Sequence, residues 1–234
     1  MKKWITLSAI VCVLSSCHKE NTACTGTAEK NFTVSHFSRL TAGETFTVTV
    51  NRGSHYGVYA RGCASDLADL SISVDSSQLL NINYSNYKAS RNPVHFIITV
   101  PQLTAVQLSG AAKGNLNGFT DQLSVIRTVL TGIASCNLNG APIITQVELS
   151  GNSDFTVTGH TENLYGNISG NATLHGYTAP AIEVDIDVSG NATAYVAPLN
   201  KLFAAASGES RVYYKGDPAG KLLETSGNAK IIRE

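Results

Sequence analysis

SGNATLHG (Ser169–Gly176) and SGNATAYV (Ser189–Val196) open with the same five letters, 20 residues apart. Working outward from them, a Ser or Thr followed by glycine in the same setting recurs at Gly110, Gly132, Gly151, Gly170, Gly190, Gly208 and Gly227. The intervals are 22, 19, 19, 20, 18 and 19 residues. A period near twenty, held over this many units, marks a solenoid in which each unit buries its apolar face only by stacking on its neighbours.

Alignment on the glycine turns the repeat into columns. Two positions on stand small residues: Ala112, Ala134, Ser153, Ala172, Ala192, Ser210 and Ala229. Four and six positions on, the residues are mostly apolar, as in Cys136, Phe155, Leu174 and Val212, or Leu116, Leu138, Val157 and Val196. Three positions on they are polar, among them Lys113, Asp154, Thr173 and Arg211. A period of two means a strand with alternate side chains on opposite faces. Before the Ser or Thr, Leu108, Leu130, Leu149, Ile168 and Val188 supply a second apolar column. A further glycine recurs at Gly118, Gly140, Gly159 and Gly216, suited to a corner because it has no Cβ penalty at positive φ. The pattern predicts an all-β fold, a single-stranded parallel β-helix of about 20 residues per coil and about ten coils. An antiparallel sandwich would give no reason for seven glycines in one register.

The flanking segments divide the chain. Residues 1–16 read as a signal peptide, with Lys2 and Lys3 before the apolar run Trp4–Leu14. Leu14-Ser15-Ser16-Cys17 resembles a lipobox, which makes Cys17 the expected site of lipidation and the run too short to span a bilayer. Residues 17–30 form a polar tether, and 31–234 the β-helix domain. Within that domain, 31–100 alternate without the Ser-Gly corner and are expected to form irregular coils or a cap, while 101–234 carry the regular repeats. With Cys12 in the signal and Cys17 lipidated, Cys24, Cys63 and Cys136 remain. Cys136 falls in a core column, so Cys24 with Cys63 is the candidate disulfide.

Seventeen basic and seventeen acidic residues balance, so the electrostatic footprint of nucleic-acid binding is missing. The repeated Ser-Gly coils, VPQLTAVQLSG (Val100–Gly110), and YYKGDP (Tyr213–Pro218) followed by ETSGNAKI (Glu224–Ile231) resemble the bacterial envelope family called putative auto-transporter adhesin, head GIN domain. The resemblance covers about residues 32–234 and implies a right-handed β-helix with an adhesive role, and it carries over no established catalytic residues. Signal, tether and solenoid account for all 234 residues, so no translocating barrel is expected and a lipid anchor would stand in its place.

Two exposed constellations are candidates. His175, Tyr195 and Tyr213, each five positions after a corner glycine, form a ladder that could meet sugar rings or peptide. Glu183, Asp185 and Asp187 alternate with apolar residues on one strand, which reads as a solvated face, with weak calcium-binding or glycoside-hydrolysing potential. No Arg or Lys is expected beside them on neighbouring coils. The Asn residues after the glycine (Asn152, Asn171, Asn191, Asn228) are expected to serve the turn itself, since Asn tolerates left-handed backbone and bonds locally. No metal site at zinc spacing and no cofactor is expected. The sequence thus reads as an outer-membrane lipoprotein, on the surface or periplasmic face. Its expected work is non-enzymatic, adhesin-like binding of a glycan or surface protein. The alternatives are a scaffold that self-associates through its terminal coils and, further off, a carbohydrate-active enzyme.

Overall fold

The computed structural model describes Cys24, residues 26–120 and residues 125–234. The signal peptide, Cys17 and most of the tether lie outside the described residues. The described residues are 57% strand and 2% helix, wound into a parallel β-solenoid of about seven turns with about 19 residues each. Seven regular coils run from Ala105 to Arg233, and the strands before them stack out of chain order and partly antiparallel, so the regular repeat stops short of the expected ten.

That region comprises β1 (Thr27–Phe32), β2 (Arg39–Ala42), β3 (Thr47–Arg52), β4 (Gly57–Cys63), the short helix α1 (Ala64–Ala68), β5 (Leu70–Val74), β6 (Leu79–Tyr84) and β7 (His95–Val100). The regular coils follow as strand pairs: β8 (Ala105–Leu108) with β9 (Lys113–Asn117), β10 (Val125–Leu130) with β11 (Ser135–Asn139), β12 (Ile144–Leu149) with β13 (Asp154–Thr158). Next come β14 (Thr161–Ile168) with β15 (Thr173–His175), β16 (Ala181–Val188) with β17 (Thr193–Val196), β18 (Pro198–Ala206) with β19 (Arg211–Tyr214), and β20 (Gly220–Thr225) with β21 (Lys230–Arg233). The strand before each Ser-Gly corner joins a 10-stranded sheet and the strand after it an 11-stranded sheet.

Each coil is therefore a flattened loop whose two inner faces pack on each other. The predicted columns fill the space between: Ala112, Ala134, Ala172 and Ala192 at 0% exposure, then Phe155, Leu174, Leu138 and Val157, also at 0%. Burying one such Leu or Val side chain contributes about 1.5–3 kcal/mol. The small column lies two residues after the corner glycine. Cys136 is buried in its core column as expected, and burial pushes its thiol up to about 12.

The corner glycines all have positive φ, from 63° to 76°. From Gly132 onward each lies against the glycine of the previous coil, and the next residue donates its N–H to that glycine's carbonyl, as in Asn171 to Gly151 at 2.7 Å and Asn191 to Gly170 at 2.8 Å. The Asn residues sit at the turn as expected, but the left-handed residue there is the glycine and not the Asn. Their amides bond from coil to coil instead, Asn171 Nδ2 to Asn152 Oδ1 at 2.8 Å and Asn191 Nδ2 to Asn171 Oδ1 at 3.3 Å.

At the N-terminal end the stacking order departs from the chain order. β2 and β3 make a coil that pairs in parallel with β8 and β9 on one side and with β6 and β7 on the other. The chain leaves the stack after β3, builds the outer level, and returns to lay down β8. β4 runs antiparallel on β7, β1 on β4, and β5 on β6, so the strands before β8 combine coils stacked out of chain order with antiparallel edge strands. Cys24 and Cys63 are joined in a disulfide with Cα atoms 5.5 Å apart, tying the start of the described chain to the end of β4. The 85–94 connection is pinned by Arg91, which bonds Asp69 at 2.9 Å and Asp66 at 3.3 Å and lies 3.6 Å from the Tyr84 ring centroid.

Candidate functional site

The outer face of the larger sheet carries the predicted ladder. His175, Tyr195 and Tyr213 stand in register on β15, β17 and β19. Their ring centroids are 5.6 and 5.2 Å apart and their planes within 9° and 12° of parallel. Rings stacked in this way spend their faces on one another and offer edges and hydroxyls to water. The ladder is therefore first a contact between coils, and its flat faces are not a continuous platform.

The stack ends at His175, because the residue in register before it is Thr156, too short to cover an imidazole. A cleft of about 530 Å³ opens there, lined by Asp154, Thr156, His175, Tyr177, Thr178 and Tyr195. Asp154 Oδ2 lies 3.0 Å from His175 Nε2, with both side chains about half exposed. Tyr177 meets Tyr195 edge-on at 5.3 Å, donates its hydroxyl to Glu234 Oε2 at 2.8 Å, and carries Lys215 Nζ 4.3 Å from its ring centroid. Burial, and next the Glu234 carboxylate, hold the Tyr177 phenol proton well above its usual range. The cleft thus combines ring walls with a carboxylate and two threonines, and it holds no buried acid or base pair.

Of the sequence candidates, His175 and Tyr195 line this cleft, while Tyr213 lies beyond it. Asp154 and Tyr177 were not singled out from the sequence. Asp154 sits in the polar column, one coil before His175, and Tyr177 follows His175 by two residues, on the same outward parity until the corner turns it.

Glu183, Asp185 and Asp187 alternate on β16 as predicted, and Asp187 aligns with Asn167 and Glu148. The expectation of no neighbouring cation is corrected: Lys201 lies opposite Glu183 with Nζ 3.1 Å from Oε2. It stands at the same offset before Gly208 as Glu183 before Gly190. Asp185 sits between Tyr165 and Phe203, and burial, then Asp187 and Glu183, push its carboxyl up. Among the described residues no group of three His, Cys, Asp or Glu side chains could hold a metal ion, and these three acids are among those residues.

The profile of the family described as "Putative auto-transporter adhesin, head GIN domain" matches residues 36–218. The chain belongs to this family. Its solved structural relatives include a putative adhesin from Bacteroides fragilis NCTC 9343, with TM-score 0.79 and 15% identity over 90% of this chain and 98% of the other. A putative adhesin from Parabacteroides distasonis ATCC 8503 follows, with TM-score 0.69 and 16% identity over 88% and 97%. A protein from the same strain named as a putative lipid binding protein has TM-score 0.67 and 13% identity over 90% and 97%. At these identities the likeness shows the shared solenoid fold. No curated protein matches the chain. Membership in an adhesin-like family suggests a cell-surface or envelope protein.

Proposed function

We propose that this member of the head GIN family is a non-enzymatic binding module of the cell envelope that recognises a glycan at the His175 cleft. The observation that supports it is the cleft itself, where the aromatic stack ends against Asp154 and Thr156. A sugar has an apolar C–H face and a hydroxyl rim. The face fits the open side of the imidazole and the ring of Tyr177, and the rim fits the Asp154 carboxylate and the Thr156 and Thr178 hydroxyls. The Asp154–His175 contact fixes both groups before a ligand arrives, which lowers the ordering cost of binding.

A glycan array with the purified protein tests this reading. Binding to one glycan class should fall about tenfold or more in Asp154→Ala and in His175→Ala, the usual cost of losing a charged hydrogen bond or a stacked ring, and stay unchanged in Asp185→Asn. Absence of any glycan binding, or binding indifferent to both cleft substitutions, would overturn it. The envelope reading includes a lipid on Cys17 in the outer membrane. Radiolabelled palmitate incorporation that vanishes in Cys17→Ser, with protease access on intact cells, would support anchorage and surface display. Protection until permeabilisation would move the module to the periplasm.

A further inference from the structure

The strands before β8 carry a second cleft, and no acid lines it. It opens on the outer face of the larger sheet where β4 lies antiparallel on β7, has a volume of about 580 Å³, and lies beside the Cys24–Cys63 disulfide. In the order of that sheet β4 is six places from β15, which puts this cleft roughly 30 Å from His175 at about 4.8 Å per strand.

The strand register lays its floor as a two-by-two mosaic. Tyr59 of β4 stands opposite Ile97 of β7, and Arg61 opposite His95. All four point outward, because the alternating Val58, Ala60, Phe96 and Ile98 are buried in the core. Ile97 is left 48% exposed. Neighbours across the two strands are about 5 Å apart and neighbours along one strand about 7 Å, so an apolar pair lies directly beside a basic pair.

Two side chains able to carry positive charge, set directly opposite each other, gain nothing from their own pairing and gain from an anion placed between them. Glu29 is in register on the other side of Arg61, yet its carboxylate takes the Tyr59 hydroxyl, and it does not line the cleft. Among the described residues neither Arg61 nor His95 has an ion-pair or hydrogen-bond partner. The wall beside them is held in place. Asp66, at 3% exposure, accepts the backbone N–H of Asn92 at 3.1 Å and its side-chain amide at 3.0 Å, which sets Asn92 and Pro93 along the cleft, and the disulfide fixes the end of β4. A site whose walls are fixed in advance spends little on ordering when a ligand enters.

We propose that this cleft binds a small amphipathic carboxylate, with its anion between the Arg61 guanidinium and the His95 imidazole and its apolar body on Tyr59 and Ile97. Arginine presents a planar fork of N–H donors that matches a carboxylate two to two. The imidazole adds a ring N–H, and the apolar pair covers a ring or short chain that begins about 7 Å from the anion. The two clefts of the larger sheet thus select for opposite charge: Asp154 lines the one at His175, and Arg61 this one. The site stands apart from the glycan reading and does not depend on it.

Titration of the purified protein with 3-phenylpropionate, followed through backbone amide NMR shifts, tests this. The resonances of Tyr59, Arg61, His95 and Ile97 should move together with a dissociation constant of about 1 mM. The neutral 3-phenylpropionamide should bind about tenfold more weakly, because it forfeits the charge-assisted half of the contact. Arg61→Gln should weaken binding of the acid about tenfold, and Ile97→Ser about threefold or more. Arg211→Gln, an exposed cation on β19 near the far end of the same sheet, should leave it unchanged. No shift at the four residues up to about 50 mM acid, equal affinity for acid and amide, or affinity indifferent to Arg61→Gln would overturn the proposal.

Discussion

A Cβ on Gly170 would stand 2.8 Å from the carbonyl oxygen of Gly151, on the coil beneath it. The corner column is thus a backbone-on-backbone stack with no space for a side chain, and φ at Gly170 is +73°. Gly170→Ala combines left-handed strain with a contact against immobile backbone and should cost about 2–4 kcal/mol. Urea unfolding measures it, and a loss below about 0.5 kcal/mol would mean that the corner relaxes freely.

Glu44 occupies the same corner on the first coil, with φ 55°, and its carbonyl accepts the N–H of Ala111 at 2.7 Å. It carries a side chain because the level above it is formed by β6 and β7, whose connection spans residues 85–94 rather than a Ser-Gly corner. Left-handed strain of about 1–2 kcal/mol exceeds the extra chain entropy of glycine, about 0.5–1 kcal/mol. Glu44→Gly is therefore expected to stabilise by about 0.5–1 kcal/mol in the same denaturation assay.

Cys136 should ignore thiol reagents in the folded state at pH 8 and react once denaturant opens the solenoid. Its thiol rises from 9.0 to about 12 by burial, so the folded state holds the proton that the unfolded chain releases. Its contribution to stability is whole below pH 9 and is lost as pH rises from about 9 towards 12. Cys136→Ala should flatten that alkaline fall. An equal fall in both proteins would assign the loss to other groups.

The Cys24–Cys63 bridge closes a separation of 39 residues, which in the chain-entropy account is worth about 4 kcal/mol. Because it joins the capping strands, reduction should act locally. Hydrogen exchange is expected to speed up in β1 and β4 first, with the coils from β8 onward still protected. Uniform loss of protection would show that the cap and the solenoid unfold as one unit.

Asp185 is raised by burial and by its neighbours Asp187 and Glu183. An acid with a raised folded pKa favours the folded state while protonated, and that contribution is lost as pH rises above the ordinary carboxyl range. Asp185→Asn should therefore stabilise the protein at pH 7 relative to pH 3.5. Thermal midpoints at the two values decide it, and an equal effect at both would remove the electrostatic cause.

The columns were legible because each coil repeats one backbone turn, and a turn that requires positive φ writes glycine at every return. Buried residues such as Phe155 and Leu174 followed by parity alone, and so did the alignment of His175 with Tyr195. Lys201 opposite Glu183 was equally countable from the corner glycines. The cleft was less accessible to counting: it exists because Thr156 is short where His175 is long, and because the chain turns after His175 and brings Tyr177 back against Tyr195.

The amino-acid sequence by itself determined the strand register, the core columns and the parallel stack, since these follow from local backbone geometry repeated at a fixed interval. The tertiary structure decided what lies where the repetition breaks. The outer level of β6 and β7 and the cleft below His175 depend on which neighbour each residue lacks. A missing neighbour is a relation between distant segments, and periodicity along one chain carries no record of it.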